Sequence, residues 1–232
     1  MIKKVFALLL VMGIAMTMYS ASAFTPPSPQ NIIGADYRMY FDKYSRSRTL
    51  VFPYAGGHDH IYDWRWAIRY GESLYYESSF NLLKSSSGDR SSQLWLLTNG
   101  DVRVELKVTA RSPDWIEFSY TITPLKNLGT MTFYQGCDFD VDGTTSNHAS
   151  SSTYNSYKAV EMWGPQTDVL FYSPTTVPSA WQVSNCVTMW NAINSGVLNN
   201  GASYVGDGGV ALAFTVQGTT TIGINLVFRQ AG

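Results

Sequence analysis

The stretch Gln93-Leu-Trp-Leu-Leu-Thr-Asn-Gly-Asp-Val-Arg-Val-Glu-Leu-Lys-Val108 decides the fold class. Two alternating runs flank Asn99-Gly100, a pair suited to a two-residue type I′ turn because both positions then take positive φ. Such a turn predicts a hairpin with Leu97 opposite Val102 and Trp95 opposite Val104. Period-two alternation sends Val102, Val104, Leu106 and Val108 inward and leaves Arg103, Glu105 and Lys107 in water. One buried face and one wet face is the signature of an antiparallel sheet.

Working outward, residues 115–123 alternate Ile116, Phe118, Tyr120 and Ile122 against Glu117, Ser119, Thr121 and Thr123. They read as the next strand. A turn over 124–129 then leads into 133–143, expected to be the fourth consecutive strand of one central sheet. Upstream, strands are predicted over 36–44, 50–54, 61–70 and 73–83, with 84–90 a polar loop. Downstream, 144–155 reads as a polar loop, 157–163 and 168–173 as strands, and 199–209 as a Gly- and Asn-rich turn. Residues 210–216 and 220–228 read as a closing hairpin. One short helix is expected over 184–195, where Val183, Val187, Trp190 and Ile193 recur at helical spacing and Gly196 stands at the C-terminal cap. Strand signals about every dozen residues predict an all-β fold, an antiparallel β-sandwich with one short helix.

The N-terminus has the form of an export signal. Met1-Ile-Lys-Lys4 is basic, residues 5–16 are apolar, and Ala21-Ser22-Ala23 is a small-x-small cleavage pattern. The expected organisation is a signal peptide over 1–23 and a single secreted β-sandwich domain over 24–232, placed outside the cell, at its surface or in the periplasm. No later run approaches the ~20 apolar residues of a membrane span. The formal net charge is −1, and loss of Lys3 and Lys4 makes the remainder more acidic, so there is no basic footprint for nucleic acid. Charged residues and aromatics each make up 14% of the chain. Surfaces so aromatic and so weakly charged suit a glycan or neighbouring copies of the same chain, unless the tyrosines serve only a large core.

Four groups of residues carry chemistry. Cys137 and Cys186 are the only cysteines, and an oxidising compartment predicts their disulfide. Asp138-x-Asp140-x-Asp142-Gly143 matches the first half of a calcium loop, in which Thr144 would supply a carbonyl at position seven. Ala149 stands where a bidentate Glu belongs, so weak Ca²⁺ binding, a solvated acidic turn and a catalytic carboxylate site are all open readings. On an extended strand Asp138, Asp140 and Asp142 would share one face, opposite Phe133, Cys137, Phe139 and Val141. His58, His60 and His148, with the aromatic face of Trp64 and Trp66, are the remaining candidates for ligand binding. The common nucleophile, zinc-protease, dithiol and phosphate-loop motifs are absent.

Residues 115–123, then 133–143, then 190–198 and the Gly-rich turn into the last two strands resemble the large antiparallel sandwiches of exported prokaryotic proteins. Within that class the rhythm is similar to galactose mutarotase-like supersandwiches, whose members process or bind carbohydrate on a concave sheet face. The resemblance covers about 115–228 and carries no catalytic residue with it. Two functions follow as expectations: a non-enzymatic module that binds glycan or assembles with itself, and a carbohydrate-active enzyme built on Asp138, Asp140, His58 or His60.

Overall fold

Alternating runs of buried and exposed residues assemble into two antiparallel sheets in the computed structural model, which describes residues 30–33, 37–41, 47–51, 59–87, 92–112 and 114–231. The export signal and His58 lie outside the described residues. The first sheet has eight strands, in the order β1 (Gln30–Ile33), β2 (Tyr37–Phe41), β3 (Ser47–Val51), β4 (Asp59–Tyr70), β10 (Met131–Phe139), β16 (Gly208–Val216) and β14 (Ala180–Asn185). Its eighth strand, β5 (Ser73–Tyr76), also pairs with β4. The second sheet has nine, in the order β15 (Ser203–Gly206), β11 (Asn147–Tyr154), β12 (Tyr157–Trp163), β13 (Thr167–Tyr172), β17 (Thr220–Gln230), β9 (Trp115–Pro124), β8 (Val102–Ser112), β7 (Ser92–Thr98) and β6 (Asn81–Ser87). Among the described residues one α-helix, α1 (Cys186–Ser195), lies on the outer face of the first sheet. The fold is the predicted all-β sandwich.

The core is where the two inner faces meet. Val102, Val104, Leu106 and Val108 are fully buried, as their alternation requires, and so are Ile116, Phe118, Tyr120 and Ile122. Trp64 of β4 stacks on Phe118 of β9 at 4.2 Å between ring centroids. One polar chain crosses this apolar layer. Trp64 Nε1 donates to the Tyr120 hydroxyl (3.2 Å), which donates to Gln135 Oε1 (2.7 Å), and Gln135 Nε2 donates to the carbonyls of Arg65 and Gly136. Every buried polar atom of that chain finds a partner, which is the condition for tolerating it there. Trp64 and Trp66 are at most 1% exposed, so the expected ligand-binding face of β4 is core instead.

The structure departs from the sequence reading in one register and in two of the strand neighbours. In the β7–β8 hairpin Leu97 faces Val104 and Trp95 faces Leu106. Asn99 N donates to Val102 O at 3.2 Å, so the central pair of the turn is Gly100-Asp101. Only Gly100 there has positive φ (90°), and Asn99 Oδ1 instead accepts from the amides of Asp101 and Val102. The register slides by an even step, and the inward residues therefore stay inward. The chain between β9 and β10 changes sheet, and so does the chain between β16 and β17. Three strands of the expected four-strand meander, β7, β8 and β9, are neighbours as predicted, but its last step to β10 and the expected closing hairpin are connections across the sandwich. Alternation specifies which face of a strand is buried; it does not specify the neighbour.

Two polar loops of the sequence reading are strands. Residues 84–87 belong to β6, and 147–154 form β11, which turns into β12 through Asn155 and Ser156, both at positive φ (46° and 71°). The helix is capped as predicted by Gly196 (φ 81°), but its buried residues are Met189 and Ile193, with Val187 61% exposed. Cys137 and Cys186 are not joined to each other, which corrects the predicted disulfide. Cys137 points into the core between the sheets, whereas Cys186 opens α1 on the other side of the first sheet, and the pleat keeps the two faces apart.

Candidate functional site

The outer faces of the two sheets hold the remaining chemistry. On the first sheet, β4 and β10 present Asp63, Arg65 and Arg69 beside Tyr134, Gly136 and Asp138, in the register Gly136 opposite Arg65 and Asp138 opposite Asp63. Helix α1 is laid over them because two positions lack a Cβ. A Cβ on Gly136 would lie 2.5 Å from the Trp190 ring, and one on Gly209 would lie 2.8 Å from the Met189 side chain and 3.0 Å from Cys186 Cα. Asn185 caps the helix start by accepting from Val187 N, and Arg69 donates to the Ile193 and Asn194 carbonyls at its end.

Two polar clusters result. In the first, fully buried Glu77 accepts from Arg65 Nε at 3.1 Å, while its Oε2 has no partner. Arg65 is 4.0 Å from Asp63 and lies over the rings of Tyr76 and Trp190. Burial raises the Glu77 carboxyl above the ordinary range, and the Arg65 charge offsets only part of that. In the second, Asp138 meets Cys186 and Asp207 at the mouth of the helix, with the ligand atoms of all three within 4.8 Å of one another. Burial first, then the neighbouring Asp207, Asp140 and Asp63 carboxylates, push Asp138 up to about 7. Burial and the hydrogen bond from its thiol to Asp207 (3.3 Å) push Cys186 up to about 11.

The outer face of the second sheet is aromatic and, among the described residues, carries no helix. Its cross-strand registers align the rows His148, Trp163, Asp168, Arg229 and Ser150, Glu161, Leu170, Val227, followed by Ser152, Ala159, Tyr172, Asn225 and the pair Tyr154, Tyr157. Tyr157 and Tyr172 stack at 6.1 Å, and Tyr154 packs on Tyr172 at 5.1 Å. At the other end of β12, His148 lies against Trp163 at 4.9 Å. Glu161, between the two ring groups, is paired with Arg229. Burial raises the Asp168 carboxyl, with Arg229 pulling the other way.

The predicted site residues are dispersed among these settings. His148 is on the aromatic face, whereas His60 is buried at the sandwich edge, where its Nδ1 accepts from Asp142 N at 3.1 Å. Asp142 sits in a turn at φ 60°, and its Oδ2 accepts from the amides of Gln166 and Thr167. The Thr144 carbonyl accepts from Asn147 Nδ2 at 2.6 Å. The shared face expected of Asp138, Asp140 and Asp142 ends with β10 at Phe139, so Asp138 turns to Cys186 and Asp207 while Asp142 closes the Gly164–Thr167 turn. Sequence reasoning passed over Asp207, hidden in a Gly- and Asn-rich turn, and over Trp163, Tyr172 and Glu77. Outward alternation along β12 marks Tyr157, Glu161 and Trp163, but only once β11 and β13 are known to flank it.

No protein-family model matches the sequence, and no curated protein matches it. The fold is similar to part of a bacterial glucoamylase solved in complex with acarbose, with a TM-score of 0.71 at 11% identity, over 90% of this chain and 34% of that one. A family GH92 inverting mannosidase from Bacteroides thetaiotaomicron gives a TM-score of 0.49 at 9% identity, over 88% of this chain and 27% of that one. The chain therefore spans about a third or less of the proteins it resembles, and at such identities the likeness is one of fold. Among the described residues no helix is long and apolar enough to cross a membrane.

Proposed function

We propose that this chain is a non-enzymatic carbohydrate-binding module that takes an extended glycan along the outer face of β11, β12 and β13. The observation that supports it is the pair of ring groups at opposite ends of β12, Tyr157 with Tyr154 and Tyr172 at one end and Trp163 with His148 at the other. Six residues of strand set them about 20 Å apart. Aromatic rings offer the apolar faces of pyranose rings a flat contact, and the intervening Glu161, Arg229, Ser150 and Ser152 offer hydroxyl partners. The occurrence of a similar sandwich within an acarbose-binding glucoamylase adds weight to a glycan ligand.

The test is affinity electrophoresis in gels that contain soluble polysaccharides, followed by a glycan array, with Trp163→Ala and Tyr157→Ala alongside. Each substitution is expected to weaken binding by about tenfold or more, the equivalent of ~1.4 kcal/mol. Retention unchanged by both substitutions, or no retention on any glycan, overturns the proposal. Release of reducing sugar from a retained glycan supports the enzymatic alternative instead, and concentration-dependent polymers without glycan binding support self-assembly.

A further inference from the structure

We infer that Asp138, Cys186 and Asp207 form a binding site for a zinc-class divalent cation. The three side chains come from β10, the first residue of α1 and the turn before β16, and their ligand atoms lie within 4.8 Å of one another. Among the described residues no other group of three His, Cys, Asp or Glu side chains meets so closely. Asp138 is 8% exposed, and its Oδ1 has no hydrogen-bond partner. A carboxylate oxygen buried without a donor costs free energy, and a cation is the partner this position admits. The nearby guanidinium, Arg65, is committed to Glu77 and Asp63.

The packing itself brings the ligands together. Absence of a side chain at Gly209 lets the start of α1 touch the sheet, which carries Sγ to the Asp138 side. Cys186 N and Asn185 Nδ2 both donate to the Asp207 carbonyl, so the third ligand is tethered by its backbone. One sulfur and two carboxylate oxygens make a borderline-soft set. It suits Zn²⁺ with a fourth position open to water, whereas Ca²⁺ takes oxygen ligands alone. Binding forms one sulfur–metal and two oxygen–metal bonds, and the thiol proton now held against Asp207 leaves to solvent.

The experiment loads chelator-treated full chain with Co²⁺ as a spectroscopic probe and measures Zn²⁺ affinity against a chromophoric chelator. One metal per chain and a near-ultraviolet thiolate-to-cobalt band are expected. Zn²⁺ should also shield Cys186 from alkylation, with buried Cys137 as the internal reference. Loss of a supporting partner outside a metal's ligand set costs 10–100-fold, so removing a ligand by Cys186→Ser or Asp207→Asn should weaken Zn²⁺ by at least about tenfold. If Asp138→Asn does not fold, Asp207→Asn carries the test, because Asp207 is only partly buried. Absence of the cobalt band, or Zn²⁺ affinity unchanged in Cys186→Ser, overturns the inference. Calcium binding that survives Cys186→Ser, with no response to Co²⁺ or Zn²⁺, overturns it in favour of the acidic turn.

Discussion

The outer faces of the two sheets come from the same kind of strand and end in opposite conditions. On the first, α1 lies over β10 and β16 and sets Trp190 against Arg65, whose partner Glu77 is fully buried, and Asp138 is nearly so. On the second, no helix among the described residues intervenes, and Tyr157 and His148 stay exposed. An Arg–Glu pair taken from each face makes the comparison quantitative. The Glu77 side chain of the covered pair is 0% exposed, whereas Arg229 and Glu161 of the bare pair are 41% and 23% exposed. Local packing, more than composition, decides whether an outward residue behaves as core or as surface, and even on the second face Ala159, Leu170 and Asn225 are buried.

The largest effect should come from the covered pair. Arg65→Met leaves Glu77 buried without its partner and is expected to cost on the order of 3–5 kcal/mol, while Arg229→Met should stay within about 1 kcal/mol. Equal urea midpoint shifts for the two variants would break the comparison. Next is the cover itself. Gly136→Val drives a branched side chain into Trp190 and should cost about 1–3 kcal/mol by lifting or straining α1. A melt that matches the wild type would show that the helix is not held where it lies.

A third test uses pH. The Glu77 carboxyl is raised above its ordinary 4.5, so the native state holds a proton that the unfolded chain gives up, and stability falls as pH rises through that window. Glu77→Gln removes this dependence and should gain on the wild type as pH rises from about 4.5. Parallel stability profiles for the two proteins would show that burial does not perturb the carboxyl. The smallest effect belongs to the bare face. Ser156 holds φ 71° in the β11–β12 turn, so Ser156→Gly should stabilise by about 0.5 kcal/mol in thermal melts, and a loss would mean that the hydroxyl contributes there.

Much of the fold was legible from residues alone, because a pleated strand has a period of two and burial follows it. Alternation alone identifies Val102, Val104, Leu106, Val108 and the inward residues of β9 as core. The helix end was legible for a comparable reason, since Gly196 takes a left-handed conformation that few other residues tolerate. The bare aromatic face was half legible. Composition announces the tyrosines and tryptophans, but the same signal makes Trp64 and Trp66 look like surface when they are core.

Local pattern by itself therefore determined the all-β class, the strand faces and the capped helix, since each rests on contacts a few residues apart. Tertiary structure alone decided what depends on distant partners. It slid the β7–β8 register, sent β10 and β17 to the sheets opposite their predecessors, and placed Cys137 and Cys186 on opposite sides of one sheet. It also joined Cys186 to Asp138, 48 residues away, and to Asp207. No period within a strand encodes such a meeting, because the free energy that selects it comes from the packing of whole sheets and of α1 over Gly136 and Gly209.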